Sequence, residues 1–163
     1  MAVYSMTFTG VTHTAVADTT NFTDSGYAGF LQGGNGTQRL KISEIYLGGE
    51  DTSGNPTQFV LARDSTVAAT GISGNRLAAL DGSATAPGTL PTYGNVSTTK
   101  PQRSSTLHLL HKAFNTFGGA IRHVCAPGNE ITVVGNTASL GEVSLSSLSG
   151  TGKVSGEIIF EVV

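Results

Sequence analysis

Four histidines and one cysteine are the side chains here best suited to metal or nucleophile chemistry: His13, His108, His111, His123 and Cys125. His108 and His111 stand three apart. On a helix that spacing places two imidazoles on one face, but on a strand they point to opposite faces and cannot chelate one ion. A zinc site would also need further ligands, which Cys125 and His123 could supply only through folding. Cys125 beside His123 is a formal nucleophile–base pair, yet in "IRHVCAP" it reads more simply as a small buried hydrophobe. A single cysteine forms no intramolecular disulfide, which leaves a cross-link between chains or a reactive thiol as its other uses.

Other chemistry is no better specified. "SGTGKVSG" has a phosphate-loop flavour, but the P-loop needs G-x-x-x-x-G-K-[ST]. Here Ser147 replaces the first glycine and Val154 follows Lys153, so the stretch reads as a hairpin turn. No G-x-S-x-G elbow is present. Glu50 and Asp51 in "GGEDTSGNP" do not match a calcium loop, and the eleven acids fall mostly on solvent-facing strand positions. A carboxylate pair for glycoside chemistry would have to be assembled by folding. The reading is a non-enzyme, with no cofactor and no metal.

Composition supports a protein made for surface contact. Only 12% of residues are charged, against about 25% in an average soluble domain. Glycine is abundant at 22 residues, and 38% of residues are hydrophobic, which is too many for a disordered chain. Nine scattered Lys and Arg against eleven Asp and Glu leave a net charge of −2, with no basic stripe for nucleic acid. The start "MAVYSMTFTG" lacks a secretory signal, and no stretch is long and apolar enough to span a membrane, so synthesis in the cytoplasm is expected.

The elements that must position these groups read as strands. In "VYSMTFTG", Tyr4, Met6 and Phe8 alternate with Val3, Ser5 and Thr7, and "GVTHTAVA" continues after a kink at Gly10. Residues 18–37 read as a long loop anchored by Phe22, Tyr27, Phe30 and Leu31. "QRLKISEIYLGG" changes phase, with Leu40 and Ile42 on one face and Ile45 and Leu47 on the other, which predicts a β-bulge or a strand passing between sheets. "EDTSGNP" is a turn, and "TQFVLARDSTVAAT" its hairpin partner. Residues 71–105 read as an extended arm or long loop, with "NRLAALDG" forming a helical turn or two capped by Asn75 and stopped by Gly82.

The last third reads as strand after strand. "STLHLLHKAFNTF" fits a helix or a strand, and its neighbourhood favours strand. "AIRHVCAP", "NEITVVGN", "GEVSLSSL" and "KVSGEIIFEVV" follow at intervals of roughly 10 to 12 residues, the rhythm of a sandwich or barrel. In the final stretch Val154, Ile158, Phe160 and Val162 share one face, with Ser155, Glu157 and Glu161 on the other. So apolar a strand must be paired inside a sheet, because exposed edges aggregate. One domain over residues 1–163 is expected.

The opening "MAVYSMTFTGV" and the closing "VSGEIIFEVV" resemble the two ends of small head-decoration (cement) proteins of tailed bacteriophages. The resemblance implies a jelly-roll-like β-sandwich, or a barrel, on the capsid surface of a virion. Its partner would be the major capsid protein, whose neighbouring subunits it clamps. The two long segments would then serve as contact arms, with Tyr27, Phe30, Leu90 and Tyr93 as anchors, and a dimer or trimer built through sheet faces or termini is expected. Two other readings stay open. One is a carbohydrate- or receptor-binding module of a phage tail or fibre, using Tyr27, Tyr46 or Tyr93 as sugar platforms. The other is a small glycan-active enzyme.

Overall fold

A computed structural model describes residues 2–23, 27–66, 76–83, 92–94, 100–135 and 141–163, and all of its regular structure is β. The described strands are β1 (Ala2–Thr14), β2 (Tyr27–Gln32), β3 (Arg39–Glu50), β4 (Pro56–Thr66), β5 (Arg76–Ala79), β6 (Thr92–Gly94), β7 (Gln102–Asn115), β8 (Phe117–Val124), β9 (Ile131–Val134), β10 (Glu142–Ser149) and β11 (Thr151–Val162). They form two antiparallel sheets packed face to face as a sandwich. The first runs β5-β1-β11-β3-β8, with β9 also on β3; the second runs β6-β2-β10-β4-β7.

The pairing has a simple logic. β1 pairs with β11, β2 with β10, β3 with β8 and β4 with β7, so the two halves of the chain lie side by side as one antiparallel ribbon. The ribbon is rolled so that β11 also meets β3 and β10 also meets β4. Strands β1 to β4 therefore alternate between the sheets, and β7 and β8, like β10 and β11, fall into opposite ones. "EDTSGNP" links β3 to β4 across the sandwich, and Gly150 links β10 to β11 in the same way. Both stretches are turns as expected, but neither closes a hairpin: each strand finds its partner in the other half of the ribbon.

Alternation decides what is buried. Tyr4, Met6 and Phe8 of β1, Val154, Ile158 and Phe160 of β11, and Leu40, Ile42, Ile45 and Leu47 of β3 face Phe59 and Leu61 of β4 and Val143 and Leu145 of β10. Each such side chain, fully buried, contributes about 1.5–3 kcal/mol. Tyr4 stacks on Phe160 with ring centroids 6.0 Å apart, locking the first strand to the last.

The phase change in β3 is a bulge. Ile159 lies opposite Glu44 but Phe160 lies opposite Ile42, leaving Ser43 as the extra residue. Its carbonyl accepts the Cys125 amide at 2.8 Å, and the phase shift turns all four apolar side chains inward. The kink in β1 is a second bulge, between Phe8 and Val11, with Gly10 at φ 61°.

Three expectations need correction. Within residues 18–37 the stretch Tyr27–Gln32 is a strand, because its side chains are buried on both faces. Within "NRLAALDG", Arg76–Ala79 is not helical but the edge strand β5, held by four pairs to β1. Sheet pairing there overrides a weak local helix propensity. The arm of residues 71–105 contains β5, β6 and the start of β7, and its residues 71–75, 84–91 and 95–99 lie outside the described residues. β7 itself is a strand, as its neighbourhood predicted.

Candidate functional site

The two sheets differ in what covers their outer faces. The outer face of the first sheet carries polar groups paired with one another: Ser5 donates to Glu157 Oε2 at 2.7 Å, and Arg122 reaches Glu44 Oε1 at 2.5 Å. The Arg122 hydrogen bonds hold the Glu44 carboxyl below its usual range. In the second sheet β2, β10 and β4 are buried on both sides, with only Pro56 and Ser65 of β4 exposed, whereas β7 is open along much of its length. Segment 15–23 covers it as a strap. The Val16 amide donates to Ser147 O at 3.1 Å, Thr19 to Arg103 O at 3.0 Å and Phe22 to Pro101 O at 2.9 Å. Val16, Phe22, Tyr27 and Phe30 pack as a second apolar cluster beneath it. Phe22 stacks on Tyr27 at 5.4 Å.

A row of polar side chains crosses the sheet under this strap. Gln32 of β2 lies opposite Glu142 of β10, and Asp64 of β4 lies opposite Arg103 of β7. Val143 opposite Arg63 brings Glu142 next to Asp64 and completes the row. Glu142, Asp64 and Arg103 have no exposed surface at all. Burying an ion costs several kcal/mol unless partners compensate it, so the contacts in this row decide its chemistry.

Arg103 is the centre. Its Nε bonds Asp18 Oδ1 at 2.5 Å, Nη1 bonds Ser146 Oγ at 2.6 Å, and Nη2 donates to Val16 O. Its guanidinium lies 5.6 Å from the Phe22 ring centroid. Burial works to raise the Asp18 carboxyl, but the bond and charge of Arg103, joined by His108 Nε2 at 3.1 Å, outweigh it and hold Asp18 below its usual range.

Asp64 behaves oppositely. Its Oδ1 accepts from Ser144 Oγ at 2.6 Å, while no donor among the described residues reaches Oδ2. Burial dominates and pushes this carboxyl up to about 7, against the bonds to Glu142 and Ser144 and the charge of Arg103. The sheet register sets Asp64 beside Glu142 in this buried row.

A smaller buried group sits at one end of the sandwich. His13 is fully buried, edge-on to Phe59 at 4.7 Å, and opposite Gly152 in the ladder. A Cβ on Gly152 would lie 2.3 Å from Asp51 Oδ2, so the bare glycine is what lets that carboxylate sit beside His13. Both imidazole nitrogens and Asp51 Oδ2 lack a partner among the described residues. Burial lowers the His13 pKa, and Asp51 offsets part of that.

The residues singled out in the sequence are dispersed. Cys125 is half-buried at the end of β8 rather than in the core, with its Sγ 3.8 Å from His123 Nε2. It terminates an edge strand, which leaves one side open. His108 joins Asp18, whereas His111 is exposed. Among the described residues no three His, Cys, Asp or Glu are placed to hold a metal. Glu50 accepts from Ser155, and Asp51 Oδ1 accepts the Lys153 amide at 3.0 Å.

Tyr27 and Phe30, expected as contact anchors, are fully buried and belong to the protein's own second core. The strap covers them, so they present no surface. Tyr93 contributes backbone to β6 opposite Leu31, and Leu90 lies outside the described residues. Tyr46 is exposed, as are Leu109, Phe117 and Val124.

Sequence reasoning missed Arg103, Asp64 and Glu142. One signal was available: "FVLA" is a continuous apolar run, the mark of a strand buried on both faces, and Asp64 lies two residues beyond it on the same strand. No family model matches the chain, and neither does any curated protein or solved structure.

Proposed function

We propose that this is a non-enzymatic virion structural protein. It is a decoration, or cement, protein that binds the outside of a tailed-phage head and holds neighbouring major capsid subunits together. The observation that carries the reading is the rolled ribbon, with β1-β11-β3-β8 facing β2-β10-β4-β7. We read that order as a jelly roll, an architecture shared by viral capsid domains and lectins. This support is analogy at the level of fold, and the likeness of the two end strands to cement proteins narrows it.

The contact surface fits the outer face and free edge of β3 and β8. Tyr46, Phe117 and Val124 are exposed there at 40%, 60% and 55%, around the ion pair Arg122–Glu44. Exposed aromatic and apolar groups with little bare charge are what a protein interface buries at its centre. Copies of the chain would act as a dimer or trimer, made in the host cytoplasm and placed on the assembled shell. Mixing the purified protein with empty heads of its phage tests this. Cosedimentation at a fixed ratio to shell subunits is expected, and protein left wholly in the supernatant would refute it.

One observation favours a second reading, a carbohydrate-binding module. Tyr46 lies flat enough that its ring atoms stand within 4 Å of a Cβ placed on Gly48, an aromatic platform beside a glycine. Thr7, Thr9 and Arg76 offer polar groups around a hollow of about 390 Å³ on the same sheet. Signal on a glycan array, abolished by Tyr46→Ala, would select it.

A further inference from the structure

We propose that two copies of the chain pair through the free edge of β8, antiparallel about a two-fold axis at Ile121, so that their first sheets join into one.

Of the four strands that end the two sheets, β8 is the least protected. β5 and β6 are four and three residues long, and the pairing of β7 with β4 shifts register three times. Short or bulged edges resist the addition of another strand. β8 instead runs in unbroken register with β3 from Ala120 to Val124, and no strand among the described residues lies on its other side. A charged side chain on an edge strand ordinarily guards it. Here the guard is occupied, because Arg122 Nε and Nη2 donate to Glu44 at 2.5 and 3.0 Å.

The backbone decides which residues can bond a second copy. At the two ends of the β3–β8 ladder the Cys125 amide donates to Ser43 O at 2.8 Å and the Asp51 amide to Thr116 O at 3.0 Å. Hydrogen-bonded pairs alternate along an antiparallel ladder, so Ile121 and His123, opposite Leu47 and Ile45, direct their N–H and C=O to β3. Ala120, Arg122 and Val124 direct theirs to the open edge. Opposed residues must also share a sheet face. Ile121 and His123 face the core with Leu47 and Ile45, whereas Ala120, Arg122 and Val124 face outward. The registers that keep most of this run paired turn about Ile121 or about Arg122. A turn about Arg122 sets it against its own copy, and like charges directly opposed are destabilising. A turn about Ile121 covers that half-buried side chain with its copy and adds to the apolar core it already packs on. It also sets Arg122, His123 and Val124 opposite Ala120, Gly119 and Gly118, bulky residues against small ones. The strand is thus complementary to itself, as a two-fold contact requires.

The pairing stands whether or not the protein decorates a capsid. Light scattering on the full chain should give a dimer. In a Cys125→Ser background, Ile121→Cys should cross-link two chains on mild oxidation, because opposed residues of a non-hydrogen-bonded pair have Cα atoms about 4.5 Å apart. Arg122→Cys should not, since its two copies would stand diagonally, roughly 7–8 Å apart. Ala120→Pro removes a donor aimed at the second copy and spares the bonds to β3, so it should leave a monomer with its β circular dichroism intact. Should that variant fold poorly, the two cysteine variants still decide the register. A parent that stays monomeric into the millimolar range, or forms a trimer, would overturn the proposal. So would cross-linking through position 122 in preference to 121, or a folded Ala120→Pro that remains dimeric.

Discussion

Arg103 and Asp18 stand 85 residues apart in the chain and 2.5 Å apart in the fold, and their ion pair fastens the strap to the outer face of the second sheet. The guanidinium is wholly buried while the carboxylate keeps 26% of its surface open, so Arg103 loses the more water of the two. That asymmetry sets the first prediction. Arg103→Ala removes the cation and strands Asp18, Ser146 Oγ and Val16 O, and should destabilise by about 3–5 kcal/mol. Arg103→Lys should recover only part, since one ammonium cannot span three directions. Urea unfolding of the three proteins measures both.

His13 predicts acid sensitivity. Its folded-state pKa lies below the ordinary 6.5, so between the two values the unfolded chain binds more protons than the native one. Stability from this group is complete above about pH 6.5 and declines as pH falls from there toward the folded value. His13→Phe keeps the ring against Phe59 and removes the titration. Melting temperature measured across that window should slope with pH in the parent and flatten in the variant.

Gly152→Ala should be costly despite its small size. The added Cβ would stand 2.3 Å from Asp51 Oδ2 and 2.9 Å from Thr116 Oγ1. Thr116 is itself held by Asn55 O, so the carboxylate must give way and its bond to the Lys153 amide must lengthen. Overpacking of this kind costs about 1–3 kcal/mol. Denaturant titration of Gly152→Ala against a neutral control such as Gly82→Ala, which meets nothing within 4 Å, isolates the effect.

Phe160→Ala tests the role of the last strand. The ring is fully buried, stacks on Tyr4, and sits on a strand paired on both sides, so its loss should cost about 3–5 kcal/mol. Calorimetry should show a lowered midpoint.

The proposed shell contact separates from all of these. Phe117→Ser and Val124→Ser, made together, remove exposed apolar groups with 60% and 55% of their surface open, so stability should change by less than about 0.5 kcal/mol each. Cosedimentation with empty heads should fall, while the melting temperature stays in place.

How much of this was legible before folding follows from which residues carry their own signal. Tyr4, Met6 and Phe8 announce a strand because period-2 alternation is a property of adjacent residues. Leu40, Ile42, Ile45 and Leu47 announce a bulge for the same reason. Asp64, Glu142 and Arg103 carry no such mark, and each alone looks like a surface charge. Tyr27 and Phe30 look like anchors for a partner, since nothing local shows that residues 15–23 will cover them.

The chain by itself determined the β class, the phase change in β3 and the need to bury its last strand, because side-chain periodicity and turn chemistry are short-range. Only the tertiary structure decided which strands pair, that β3–β4 and β10–β11 cross between sheets, and that Arg103, Asp64 and Glu142 lie buried in one row beneath a strap that carries Asp18. Those outcomes rest on contacts distant in the chain, such as Ser144 with Asp64 across 80 positions and Arg103 with Asp18 across 85. No local pattern encodes the desolvation that gives them their chemistry.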